Sequence, residues 1–184
     1  MRRKSMSNKR NVLDVIISYL KSSPECSAST YCLGMDEKIT TLTIVYEDKP
    51  LCPDKLIESC LWFHNTVIEA RVYYTETAQK WVRECGDKRT ELLEVINFIN
   101  ARIFPAAGFT TPRLYITEEC DIAYTMLFDY GMFDDDIVTQ TLEFLTDYMP
   151  AFLNTISVYL FSVVCGVYNS KEAINRIKSD LLDE

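Results

Sequence analysis

One segment limits the fold of this chain more than any other: the uncharged stretch of 23 residues from Tyr148 to Ser170. Its length would suffice to cross a bilayer. Because Asn154, Thr155 and Ser157 lie inside it, and the segments before it resemble those of soluble proteins, we expect no membrane span. A helix that is apolar nearly all round must then be buried on more than one side.

This apolar segment also predicts a partner. A single-layer sheet offers only one face to a helix, so a second protein surface has to cover the rest. We therefore expect a homodimer, or a stable hetero-complex, that buries much of this helix. The predicted dimer interface consists of Phe152, Ile156, Tyr159, Leu160 and Val163.

Charge is distributed unevenly along the chain. The first ten residues carry five basic side chains and no acid, whereas the whole sequence has 27 acidic and 19 basic residues and a net charge of −8. We interpret residues 1–10 as a flexible basic tail and 11–184 as a single domain. Binding to a polyanion requires a basic surface that releases counterions, so we expect no nucleic-acid partner.

The seven cysteines and the single histidine indicate which chemistry to expect. An odd number of cysteines without a C-x-x-C pair predicts reduced thiols and a cytoplasmic location, and it provides no ligand pairs for zinc. We expect neither a metal nor a cofactor. Cys60 is the thiol nearest in sequence to His64, but on one strand they would lie roughly 13 Å apart. We therefore assign no catalytic residues.

Hydrophobic periodicity predicts the order of helices and strands. Asn11 begins an amphipathic helix as its N-cap, and a polar connector containing Gly86 precedes a second helix. The predicted strands are Tyr31–Met35, Ile39–Tyr46, Leu56–Phe63, Val67–Tyr74, Leu114–Thr117 and Ile122–Phe128, with His64 in the turn of the central hairpin. The predicted fold class is α+β, an antiparallel sheet flanked by helices in the order α-ββββ-α-ββ-α.

Two polar motifs flank the second hairpin. Asn97 and Asn100 are three residues apart in the helix Arg89–Ile103, so they share a face from which they could bridge the backbone of the loop 104–108. The acids Asp134 to Asp136 precede the longest helical pattern, and we expect one of them to cap it while the others offset the positive end of its dipole.

The segment from Glu91 to Asn100 (ELLEVINFIN), the hairpin that follows, and the turn from Tyr130 to Asp136 (YGMFDDD) resemble the YbjN-like family. That family is related in fold to the type III secretion chaperones, so the resemblance implies a type III secretion chaperone-like fold. The resemblance covers roughly residues 11–168, but the junction Ile103 to Pro112 is longer than usual and contains two prolines. It implies a non-enzymatic, often dimeric protein that binds polypeptides or influences signalling and secretion, with no catalytic residues.

We expect a cytosolic protein-binding module, chaperone-like or a regulatory adaptor, that holds a client by strand addition or in an apolar groove. The predicted partner-binding residues are the apolar ones expected on the solvent side of the sheet, Leu42, Ile44, Trp62 and Phe63. Two alternatives stay open. One is an enzyme that uses the carboxylates Asp121, Asp129 and Asp134 to Asp136, and the other is a membrane-tethered form of the binding module.

Overall fold

The computed structural model describes residues 9–22, 30–35, 40–103, 112–134 and 136–182. The strands are β1 (Thr30–Met35), β2 (Thr40–Tyr46), β3 (Ile57–Phe63), β4 (Val67–Tyr74), β5 (Arg113–Ile116) and β6 (Ile122–Asp129). The helices are α1 (Lys9–Ser22), α2 (Glu76–Glu84), α3 (Lys88–Arg102), α4 (Val138–Glu143), α5 (Met149–Val164) and α6 (Ser170–Leu181). Short 3₁₀ turns form at Pro53–Lys55 and Tyr130–Phe133, and a π-helical turn forms at Phe144–Tyr148.

Within the described ranges the strands form one six-stranded antiparallel sheet in the order β1-β2-β3-β4-β6-β5. This confirms the predicted α+β class and the antiparallel pairing. Two details differ from prediction. Helix α1 is already helical at Lys9, so Asn11 lies inside it and is not its N-cap. The predicted polar connector contains helix α2. The sequence feature that indicates this helix is the spacing of Ala78 and Val82, which are four residues apart and both buried.

The two faces of the sheet have different environments. In β2, the side chains of Leu42, Ile44 and Tyr46 are buried, whereas Thr43 and Val45 between them are half-buried. Strands β3, β4 and β6 alternate in the same way. Because successive side chains of a strand point to opposite faces, the helices described in this chain cover one face only.

Helix α5 is buried within its own chain. Ile156, Leu160 and Val163 have no exposed surface, because α5 packs against β3 and β4 on one side and against α3 and α6 on the other. The prediction that a second subunit must cover this helix is therefore wrong, because the other helices of the chain bury these side chains. Tyr159 is also buried, and Phe152 is half-buried with its ring against those of Tyr148 and Tyr124.

The polar residues of the uncharged stretch have internal partners. Asn154 Oδ1 accepts a hydrogen bond from the backbone N–H of Leu51 at 3.3 Å, and the Ser157 hydroxyl donates to the Leu51 carbonyl at 2.7 Å. The buried Tyr74 hydroxyl donates to the carbonyl of Leu153 at 2.6 Å. These bonds fix α5 to the loop after β2 and to β4. Within the described ranges, no helix has both the length and the apolar character needed to cross a membrane.

Pro150 lies inside a continuous helical segment, since α4, the π-helical turn and α5 follow one another without a break. Proline cannot donate a backbone hydrogen bond, and the wider π turn directly before it accommodates this loss. The N-cap position of α4 is Ile137, which forms no side-chain cap. The predicted capping by Asp134 or Asp136 is therefore wrong, while Asp135 lies outside the described residues.

Candidate functional site

The face of the sheet opposite the described helices, which we call the open face, is the first candidate surface. Its central row crosses four strands, from Thr43 through Cys60 and Arg71 to Thr125. Half-buried apolar and aromatic side chains flank this row, and none of them is packed into the hydrophobic core. The open face comprises Thr41, Thr43, Val45, Glu58, Cys60, Trp62, Val67, Glu69, Arg71, Tyr73, Arg113, Tyr115, Ala123, Thr125, Leu127 and Asp129.

Arg71 organises the centre of the open face. Its guanidinium lies over the Trp62 ring, 4.9 Å from the ring centroid, and its Nη2 donates to Glu69 Oε1 at 2.9 Å. The second carboxylate oxygen of Glu69 lies 3.3 Å from His64 Nε2 in the β3–β4 turn. Because the Arg71 guanidinium is already held by the Trp62 ring and by Glu69, it loses little further mobility when a partner binds. The cluster therefore presents a preorganised aromatic and cationic surface.

Burial raises the pKa values of two titratable groups of the open face. It raises the pKa of the Cys60 thiol, against the smaller effect of the nearby Thr43 hydroxyl, whose oxygen lies 4.0 Å from the sulfur. Burial raises the pKa of Tyr73 too, and the neighbouring Glu58 carboxylate adds to the shift. Nucleophilic chemistry requires the thiolate, so Cys60 in this environment is suited to packing.

Three of the predicted partner-binding residues lie on the wrong side of the sheet. Leu42 and Ile44 are 0% exposed and Phe63 is 3% exposed, because all three face the helices. The prediction assigned this side of the strands to solvent, whereas the alternation places it in the core. Trp62 lies on the open face and is half-buried, so a partner can reach it without a change in the fold.

The predicted acidic group does not form one site. Asp121 precedes β6 and Asp129 ends it, so the two carboxylates are roughly 26 Å apart along an extended strand. Asp121 lies 3.4 Å from the Thr117 hydroxyl, and Asp129 Oδ1 accepts the N–H of Gly131 at 2.7 Å. Among the described residues, no cluster of three or more histidine, cysteine or acidic side chains could hold a metal ion.

A second candidate surface is a cavity of about 910 Å³ at the β5–β6 edge of the sheet. Asn100 lies at this edge, where its amide donates to the Leu114 carbonyl at 2.8 Å and accepts from the Leu114 N–H at 2.9 Å. The predicted bridge to backbone is therefore present, but it reaches strand β5. The loop 104–108 lies outside the described residues. Asn97 is exposed and lines the cavity.

Sequence reasoning did not identify Arg113, Tyr115 and Leu127, which line this cavity from the open face. The alternation of the two strands could have identified them, because each lies next to a buried residue of its own strand, such as Leu114 or Met126. Leu127 is 54% exposed, a high value for a leucine in the middle of a strand.

Comparison of the chain with protein-family models, with curated proteins and with solved structures finds no significant match. The resemblance to the YbjN-like family stays a prediction.

Proposed function

We propose that this protein is a non-enzymatic, cytoplasmic protein-binding module, chaperone-like or a regulatory adaptor, and that its partner packs on the open face. The observation that supports this proposal is the one-sided covering of the sheet. The helices of the described chain bury one face, while the other presents half-buried aromatic and apolar side chains across four strands. A surface of this kind is typical of protein interfaces.

The chemistry of the open face favours a protein as the partner. Tryptophan, tyrosine and arginine dominate the binding energy of protein interfaces. Here Arg71 lies over the Trp62 ring, and Tyr73 is two residues further along the same strand and on the same face as Arg71. Sheets also pack face to face when each offers such side chains, so a second copy of the chain is one possible partner. The proposed contact surface is thus the open face, and not helix α5.

The cysteines support the proposed compartment. The five cysteines whose side chains the structure describes are all free, and two of them, Cys52 and Cys60, are buried. Burial raises the pKa of the Cys52 thiol to about 11, which makes it unreactive at neutral pH. Unpaired thiols suit the reducing conditions of the cytoplasm.

The two tryptophans of the chain offer a matched test. Trp62 lies on the open face, whereas Trp81 is 39% exposed on α2 with its ring 5.8 Å from that of Phe161. The tagged full-length protein, Trp62→Ala and Trp81→Ala would each be used to capture partners from the host lysate, with binding quantified by mass spectrometry. Urea unfolding would first establish that both variants are folded.

We expect a stoichiometric protein to bind the wild type and Trp81→Ala, and to bind Trp62→Ala at least tenfold more weakly, which corresponds to about 1.4 kcal/mol. The size of the purified protein in solution would show whether that partner is a second copy. Equal binding by the two variants, or no protein partner at all, would refute the proposal.

A further inference from the structure

Three neighbouring strands bring two arginines and two hydroxyl groups together on the open face. In the register of the sheet, Thr125 of β6 lies between Arg71 of β4 and Arg113 of β5. Tyr115 follows Arg113 by two residues, so both side chains lie on the same face. The Thr125 hydroxyl donates to the Tyr115 hydroxyl oxygen at 3.2 Å, and Tyr115 also interacts electrostatically with Arg71. The donor cluster, as we call this group, consists of Arg71, Arg113, Tyr115 and Thr125.

The donor cluster has more hydrogen-bond donors than acceptors. Arg113 is exposed, and no hydrogen bond or ion pair joins its guanidinium to a described residue. The Nε of Arg71 is buried and has no hydrogen-bond partner within the described ranges. Because the Tyr115 hydroxyl accepts from Thr125, its own proton is available to another acceptor. The group that complements this cluster is therefore one that accepts hydrogen bonds and donates none.

The charge of the donor cluster distinguishes between acceptor groups. Arg71 is neutralised by Glu69, whose Oε1 accepts from the arginine Nη2 at 2.9 Å. Arg113 consequently adds one uncompensated positive charge, in a chain whose net charge is −8. A carboxylate matches both properties, since it only accepts hydrogen bonds and carries one negative charge. A phosphoryl group would bring nearly two negative charges against that single positive charge.

Apolar surface borders the donor cluster on two sides. Leu127, which is 54% exposed, lies two residues from Thr125 on the same face of β6. The Trp62 ring lies 4.9 Å from the guanidinium of Arg71. A partner segment can therefore place an acidic side chain on the cluster and pack its apolar side chains on Leu127 and Trp62. A small free anion would gain only the first of these contacts, so the surroundings favour a polypeptide.

We propose that the donor cluster binds the carboxylate of an aspartate or glutamate side chain that the partner of the open face presents. Arg113 forms the ion pair with this carboxylate, and the Tyr115 hydroxyl donates a further hydrogen bond to it. Arg71, which Trp62 and Glu69 hold in place, forms the rigid border of the site on β4. The proposal rests on the proposed function, which it refines by naming the chemical group that the partner contributes.

The test selects peptides from a phage-displayed library of random short sequences against the full-length protein. Their affinities are then measured for the wild type, Arg113→Gln and Lys80→Gln. Lys80 is the control because it is exposed on α2 and loses the same charge outside the donor cluster. We expect acidic peptides that bind Lys80→Gln like the wild type and Arg113→Gln about tenfold more weakly, the contribution of a hydrogen bond to a charged group. Selection of no peptide, or of peptides that bind Arg113→Gln like the wild type, would overturn the proposal.

An exchange of charges tests whether the pairing is direct. Arg113→Glu should bind the selected peptide weakly and should regain affinity when lysine replaces the acidic residue of that peptide. The same lysine peptide should bind the wild type about tenfold more weakly than the original peptide. Urea unfolding would first establish that the variants are folded. Absence of this rescue would contradict the ion pair, and tighter binding of a phosphoserine peptide than of the acidic one would show that the site prefers a phosphoryl group.

The outcome separates the two proposals. A lysate partner that is lost with Trp62→Ala but binds Arg113→Gln like the wild type would uphold the open-face interface and reject the carboxylate site. A partner that is weakened by both substitutions, and unaffected by Lys80→Gln, would support both proposals.

Discussion

Asn100→Ala is the most informative single change, because Asn100 covers the backbone of β5, the last strand of the described sheet. Its amide provides both hydrogen bonds to the backbone of Leu114, a residue that is 1% exposed. Each bond contributes about 1 kcal/mol, so their loss costs about 2 kcal/mol. Alanine is the better helix former by about 0.6 kcal/mol, which reduces the net loss to roughly 1.4 kcal/mol.

Asn97→Ala is a close control for this change. Asn97 lies one turn earlier in α3 and is exposed, with no hydrogen bond to the described backbone. The Asn97→Ala variant gains the same helix propensity and loses no hydrogen bond to a described residue, so its stability should equal or exceed that of the wild type by up to about 0.6 kcal/mol. The two variants together isolate the contribution of the bridge to β5.

Urea unfolding followed by circular dichroism measures both variants. We expect Asn100→Ala to be less stable than Asn97→Ala by about 2 kcal/mol, with a Tm lower by roughly 4–8 °C for a chain of this size. The rate of amide exchange in β5 should rise in Asn100→Ala alone. Equal stability of the two variants would show that water replaces the amide of Asn100 at no cost and would refute this role of Asn100.

Two further predictions concern the core. Leu160→Asp places a charge at a position with no exposed surface, so we expect a loss of more than about 4 kcal/mol in urea unfolding, against less than about 1 kcal/mol for Val158→Asp, which is 42% exposed. Similar losses in both variants would contradict the burial of α5. Burial raises the pKa of Tyr159 to about 12, so the stability present below pH 10 should be lost between pH 10 and 12. Tyr159→Phe should reduce that loss, and an unchanged pH profile would contradict the shift.

Much of the architecture follows from local sequence patterns. Alternation of apolar and polar residues in the segments around Leu42 and Val72 predicts strands, and the recurrence of apolar residues at Leu92, Ile96 and Ile99 predicts α3. All six strands are found near their predicted positions. Helix α2 was missed because its apolar stripe is only two residues wide, and short amphipathic helices resemble polar connectors in sequence.

The sites were harder to predict, because periodicity reveals that a strand has two different faces but not which of them the helices cover. Leu42 and Ile44 could therefore be assigned to solvent, although they form part of the core. The cavity depends on where β5 stops relative to β6, and Arg113 and Leu127 meet there from strands joined by a separate turn. The register between β5 and β6 determines which side chains come together at the cavity, and periodicity within one strand does not reveal it.

Helix α5 shows the same division between local and tertiary information. Composition by itself required the stretch from Tyr148 to Ser170 to be buried on several sides, and most of its helical part, α5, is buried. Tertiary structure decided what buries it: α3, α6 and two strands of the same chain. The physical reason is that the hydrophobic effect depends on the area removed from water and has no direction. A sequence can therefore demand burial, while the packing of distant segments determines which surface provides it.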